Sequence, residues 1–314
     1  MAFSRTYYHV AEHLFAVECS DSALLQYMKN YEPFAVEELL GERRKAKGER
    51  REGEEIFTLR VEGDEARGER REARGEEWTH VLTDNAEEDM PRIEVYKASG
   101  GWLLRVAMVA KAPISCEIEC NEDFTQGVLY IMPDCQDVRF CIDNALMLLF
   151  AFRTAPMMTL EMHAAVVVRG EGRGYLFLGH SGTGKSTHAR QWLAAFDDAW
   201  LLNDDNPILR VMEDGEVRVY GSPWSGKTPC YKNAYARVGG IVKLSQAPHN
   251  KIRTISLPEA YAYMLSSASG MKMDRHMADC MYESIKHVIT HVKCYHMECL
   301  PNVEAAEVAQ RGMA

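Results

Sequence analysis

An eight-residue run, GHSGTGKS at positions 179–186, limits most tightly what this chain can fold into, because it follows the apolar run YLFL and precedes a stretch that reads as a helix. Glycines at 179, 182 and 184 let the backbone fold tightly enough for successive N–H groups to point inward. The helix that begins near Lys185 adds its positive end to the same space. A strand, such a loop and a helix in that order make a cradle for a polyphosphate, and the pattern G-x-x-x-x-G-K-[ST] is matched in full. The reading assigns Gly179, His180, Ser181, Gly182, Thr183, Gly184, Lys185, Ser186 and Thr187 to nucleotide binding. Lys185 is expected to reach the β and γ phosphates, and the Ser186 hydroxyl to coordinate a divalent metal, Mg²⁺ or Mn²⁺. ATP is the expected nucleotide, with GTP left open.

The next chemical signal is a pair of acids. Asp204 and Asp205 follow the run read as a strand at 200–202, one helix and one strand after Lys185. Open α/β sheets place ligands at the C-terminal ends of their strands. Two adjacent carboxylates there can divide the work, Asp204 holding the metal and Asp205 taking a proton from an attacking hydroxyl. His163 lies in LEMHAAVVV, read as one strand at 160–168, where every neighbour except Glu161 is apolar. A lone histidine in such a strand is ordinarily a satisfied core residue.

The run from His163 through Asp205, with MHAAVVV, GHSGTGKST and LLNDDN at these spacings, resembles the HPr kinase/phosphorylase catalytic domain and the nucleotide-binding core of phosphoenolpyruvate carboxykinases. The resemblance implies an α/β fold of the phosphoenolpyruvate carboxykinase/HPr-kinase-like P-loop type. It also implies that His163 joins Asp205 and Lys185 as a catalytic residue close to the metal and the γ-phosphate. Two departures restrict the reading. Counterparts of the carboxykinase substrate segments are missing, which argues against decarboxylation, and the Glu-Arg-Gly signature of HPr kinases is replaced by GSPWSGK at 221–227. In that loop Lys227 is a candidate contact for phosphate or acceptor and Trp224 a candidate wall of the site, with a purely structural loop as the equal alternative. The expected activity is metal-dependent transfer of the γ-phosphoryl group of ATP to a hydroxyl of a peptide, protein or small molecule. The alternatives are a regulatory protein that binds ATP without transferring it, and a simple nucleoside triphosphatase. HPr-kinase-like proteins often form oligomers, so a homo-oligomer is an open expectation.

Composition narrows the partners. The 314 residues carry 36 Lys plus Arg against 46 Asp plus Glu, a formal net charge of −10, which argues against non-specific attraction to nucleic acid or an anionic membrane. The longest uninterrupted apolar run, 145–152, is too short to span a bilayer, and the first residues lack the pattern of a secretory signal. Nine cysteines without paired CxxC spacing read as reduced thiols of a cytoplasmic protein. Cys116 and Cys120 fall in a predicted strand, and His287 and His291 share a predicted helix face that ends before His296; both sets read as packing or surface residues rather than metal ligands.

Two domains are expected. Residues 1–155 read as a smaller, mainly antiparallel β domain, with predicted strands at 92–96, 102–109, 114–120 and 128–131 and a helix at 141–153 closed by Pro156. Inside it the stretch 41–77, in which GERR recurs at Gly41, Gly48 and Gly68, is too polar to bury and reads as solvated loops around one strand at 56–61. Residues 156–314 read as the nucleotide-binding domain: an Asp-Gly hairpin at Asp214 and Gly215, a strand at 238–244, helices opening at Pro258 and near Asp279, a strand at 293–297 and a last helix after Pro301.

Overall fold

The computed structural model describes residues 3–19, 21–36, 54–63, 77–84, 91–226 and 228–313. The chain divides into two compact units, Met1–Arg153 and Thr154–Ala314, each built on a mixed sheet in an α/β architecture that is mostly strand.

In the first unit nine strands run β1 Ser4–Val10, β2 His13–Cys19, β3 Ala35–Val36, β4 Glu55–Gly63, β5 Thr79–Asp84, β6 Arg92–Ala98, β7 Gly101–Ala107, β8 Ile114–Asn121 and β9 Gln126–Ile131. They form one sheet in the order β3-β1-β2-β4-β9-β8-β7-β6-β5. Pairing is antiparallel except around β4, which lies parallel to both β2 and β9. β4 is the one described segment inside the charged stretch; Phe57, Leu59 and Val61 bury alternate side chains there, which is why a short apolar island holds the middle of the sheet. The rest of that stretch, apart from residue 77, lies outside the described residues. The sequence reading missed β1, β2, β3 and β5 and the 3-10 segment Ser22–Phe34. β5 is largely exposed and carries little alternation, whereas β2 is buried almost throughout and so shows none of the period-two pattern that betrays a half-buried strand.

Helix α1, Val138–Thr154, packs on this sheet. Its Leu149 side chain sits where Gly127 of β9 leaves room, 2.7 Å from the place a Cβ would take. Phe150 meets Phe15 edge-on, and Phe152 meets Phe124 likewise. The segment Val138–Met157 is long and apolar enough to cross a membrane by length and composition, at 20 residues and mean hydropathy 1.2. That corrects the expectation drawn from uninterrupted apolar runs, which stopped at charged residues such as Arg139 and Asp143; these two pair with each other at 3.2 Å. Cys141, Ile142, Ala145, Leu146, Leu149 and Phe150 are wholly buried, as in a core helix.

The second unit contains β10 Thr159–Met162, β11 Ala164–Arg169, β12 Arg173–Leu178, β13 Trp200–Asp205, β14 Ile208–Val211, β15 Val217–Tyr220, β16 Tyr235–Gln246, β17 Lys251–Thr254, β18 Ala268–Ser269 and β19 Cys294–Cys299. They form a ten-stranded sheet in which β19 and β17 branch from β16. Four helices accompany them: α2 Lys185–Ala195, α3 Leu257–Ser267, α4 Arg275–His291 and α5 Val303–Met313. Alternation sorts the strand residues into two cores. Ala164, Val166, Leu176, Leu178 and Leu202 face α3 and α4, while Ala165, Val167, Phe177 and Val242 face α2 and α5. The hairpin at Gly215, which adopts φ +83, joins β14 to β15. α3 begins with a capping box between Ser256 and Glu259. α4 carries His287 and His291 with their rings stacked at 4.0 Å, and His287 Nε2 lies 3.1 Å from the Gly215 carbonyl.

Trp192 of α2 is the pin of the second core. Its side chain is fully buried among Tyr175, Phe177 and Phe196, and its indole N–H donates to His188 Nε2 at 3.1 Å. Burial depresses the His188 pKa to about 4, so the ring stays neutral and able to accept. Trp192→Ala is expected to cost about 3–5 kcal/mol in urea unfolding.

Candidate functional site

Strand direction brings the chemical residues to one edge. β11 runs antiparallel to both β12 and β13, so those two point the same way and both end opposite the start of β11. The pairing is explicit: Ala164 stands opposite Leu178 on one side and opposite Asp205 on the other. The glycine-rich loop leaves β12 directly after Leu178, and His163 precedes Ala164. Loop, histidine and acids therefore share a single end of the sheet.

Residues 159–169 and 200–211 behave as one long antiparallel ribbon. Thr159 pairs with Arg210, Glu161 with Ile208, Ala164 with Asp205 and Ala165 with Asp204. The ladder lapses at His163, whose N–H donates instead to the Ser267 carbonyl at 2.7 Å. LEMHAAVVV is thus two strands rather than the single strand expected from its apolar run, because the histidine stands at the break and gives its backbone bond to the end of α3. Freed from the ladder, the His163 ring is only half-buried, with Nε2 3.3 Å from Asp205 Oδ1. It is a partner of an acid and not a core histidine.

The acids differ in environment. Both lie within β13, which extends further than the predicted 200–202. Asp204 is 4% exposed and level with Ala165, so it projects to the face covered by α2; Asp205 is half-exposed and meets His163. The segment after β15 straps this end down. The buried Asn203 amide donates to Ser222 Oγ at 3.1 Å and to the Trp224 carbonyl at 3.0 Å, while its oxygen accepts from Asn206 N–H. Gly226 N–H donates to the Asp204 carbonyl at 2.7 Å, and a Cβ at Gly226 would stand 3.3 Å from the Asp205 carboxyl carbon. Trp224 is 2% exposed, so its ring packs inside this strap instead of forming an open wall. Lys227 lies outside the described residues.

In the loop, Gly182 and Gly184 adopt φ +76 and +105, a conformation that L side chains avoid, and a Cβ at either would meet nothing within 4 Å. Gly184 caps α2 without a side-chain hydrogen bond, and the first turn holds no acidic residue to offset the positive helix end. Thr183 N–H closes the turn on the His180 carbonyl at 3.2 Å. Lys185 Nζ donates to the Gly179 carbonyl at 2.9 Å and the His180 carbonyl at 3.3 Å, which folds the ammonium over its own loop. Ser186 and Thr187 follow in the first turn of α2, and Ser181 is exposed at the tip. From β16, Gln246 Nε2 donates to the Gly182 carbonyl at 3.2 Å. Open space over paired glycines, a helix N-terminus without a side-chain cap, an ammonium, a hydroxyl and two acids suit a metal-bound triphosphate. Among the described residues no group of three or more His, Cys, Asp or Glu side chains is arranged to hold a metal ion by itself.

Sequence reasoning passed over Asn203, Gln246 and Glu161. Asn203 left a signal, a polar residue between the apolar strand and the acids. Glu161 left another as the one charged residue in an apolar run. It is 1% exposed, and neither of its carboxyl oxygens has a hydrogen-bond partner among the described residues. Burial, with the negative charge of Asp205 as a second cause, pushes its pKa up to about 8.

No protein-family model matches this chain, and no curated protein matches it. Among solved structures it is similar to the Hpr(Ser) kinase/phosphatase from Coxiella burnetii at 13% identity, over 48% of this chain and 94% of that one, with a TM-score of 0.29. A likeness this distant carries no argument about the site.

In the folded chain Glu161 keeps its proton up to about pH 8, and in the unfolded chain only up to its ordinary value of 4.5. Its contribution to stability is whole below pH 4.5 and drains away as pH rises toward 8. Glu161→Gln removes that drain. The variant should gain on wild type between those two pH values, by up to a few kcal/mol, and hold a level difference above them. Urea unfolding across the range reads the effect, and a pH-independent difference would mean that the carboxyl is not buried uncharged.

Proposed function

We propose that this chain is a metal-dependent ATP phosphotransferase acting on a hydroxyl, in an arrangement of the phosphoenolpyruvate carboxykinase/HPr-kinase-like P-loop kind and in a cytoplasmic setting. The observation that carries the reading is the His163–Asp205 pair, 3.3 Å apart, at the sheet end from which the glycine-rich loop departs. A binding protein needs the loop but has no use for a paired base beside it.

In this reading the amides of residues 179–187 hold the phosphates, and Lys185 exchanges its two loop carbonyls for phosphate oxygens. Ser186 and Asp204 would hold Mg²⁺ or Mn²⁺, which when bound neutralises charge on the phosphates. Asp205 accepts the proton of the acceptor hydroxyl, and His163 orients that carboxylate. The strap at 221–226 fixes the backbone of both acids, so the acceptor is read by residues beyond it, Lys227 among them.

Lys185→Ala should reduce phosphoryl transfer from labelled ATP by at least about a hundredfold with the circular-dichroism spectrum unchanged. Asp205→Asn should keep nucleotide affinity within a few-fold and lose turnover. Full turnover in either variant would overturn the reading. Wild-type protein that binds ATP and never turns it over, whatever acceptor is supplied, would favour a regulatory nucleotide-binding protein, and release of phosphate to water alone would favour a triphosphatase.

A further inference from the structure

Glu161 has no task in the mechanism above, yet it occupies a costly position. A carboxyl group removed from water ordinarily finds hydrogen-bond donors, and each exception calls for a reason. Both oxygens of Glu161 are buried and neither meets a donor. Its cross-strand neighbours, Ile208 on β14 and Ser269 on β18, bear no charge. Leu160 and Met162, which flank it, point into the core with Met281 and Ile285 of α4, so Glu161 projects from the other face of β10, the face that His163 shares two residues on. The charge that acts on Glu161 is that of Asp205, across the ribbon and in turn 3.3 Å from His163. An apolar residue of similar volume would fill the space more cheaply, so a purely structural account leaves the acid unexplained.

We infer that Glu161 is a positioning residue for the Asp205–His163 pair: it holds a proton in the dry space behind Asp205, which leaves the pair with a single negative charge, and it loses that proton only by placing a second charge beside the first. The inference rests on the reading of this edge as a phosphotransfer site. With Glu161 uncharged, the edge that faces the incoming triphosphate carries the carboxylates of Asp204 and Asp205 and no third. Once Glu161 gives its proton to solvent, two carboxylates share a poorly solvated space and repel the phosphates. Glu161 thus acts as a charge gate that favours nucleotide binding at neutral pH and opposes it in alkali.

The test follows the full-length protein and Glu161→Gln from about pH 6 to about pH 10 with two readouts. The His163 ring resonances, monitored by NMR without nucleotide, should show an inflection near pH 8 in wild type, where the carboxyl ionises, and none there in the variant. Calorimetric affinity for a non-hydrolysable ATP analogue with Mg²⁺ should fall about three- to tenfold between about pH 7 and about pH 9 in wild type and stay level in the variant. Glu161→Met serves the same comparison if the amide proves hard to accommodate. An inflection that persists in the variants, or one missing from wild type, overturns the inference. If the analogue fails to bind wild type at any pH, the phosphate-binding reading falls, while the nucleotide-free resonances still decide the role of Glu161.

Discussion

The arrangement depends on one backbone constraint, the antiparallel ribbon formed by residues 159–169 and 200–211. Because β11 lies between β12 and β13 and opposes both, two strands separated in sequence by a loop and a helix must finish side by side. No side-chain interaction is needed to bring the glycine-rich loop and the acid pair together; hydrogen-bond register does it. The break at His163 is the second half of the same constraint. A histidine inside an intact ladder would alternate with its neighbours into one core or the other, whereas one whose N–H is taken by the end of α3 can turn its ring to Asp205.

The edge is also asymmetric in its solvation. Asp204 is buried and Asp205 half-exposed, Lys185 is folded into its loop, and Glu161 is sealed behind them. Charged groups are thus graded from wet to dry over a few residues. In a polar site Coulomb interactions weaken with solvent, so the driest group exerts the largest influence per unit charge even though its oxygens meet no donor among the described residues. A buried carboxyl without hydrogen-bond partners costs far less protonated than ionised, which is why it keeps its proton in a folded core.

Much of this was legible in the residues. The glycine spacing, the apolar strand before it and the helix after it fix the loop without reference to the rest of the molecule, because each is a local backbone requirement; the helix Lys185–Ala195 begins where the sequence places it. The Asp214-Gly215 hairpin was legible for the same reason. What escaped is non-local. The division at His163 depends on Ser267, over a hundred residues away, and the burial of Trp224 depends on Asn203. β2, buried almost throughout, lacks the alternation that reveals strands at the surface. The membrane-length apolarity of the segment around α1 was hidden by charges that the helix pairs with each other.

The strap over the acids has a consequence for how such a site can diversify. A side chain at Gly221 would strike the Lys232 carbonyl at 2.0 Å, and one at Gly226 would crowd Asp204 and Asp205. Gly221 is therefore held against the Lys232 carbonyl and Gly226 against the acid pair, while the middle of the hexapeptide is held by Asn203 and Ser222. Changes of shape at this end of the sheet therefore have to fall outside those six residues, on ground that can vary without moving the carboxylates.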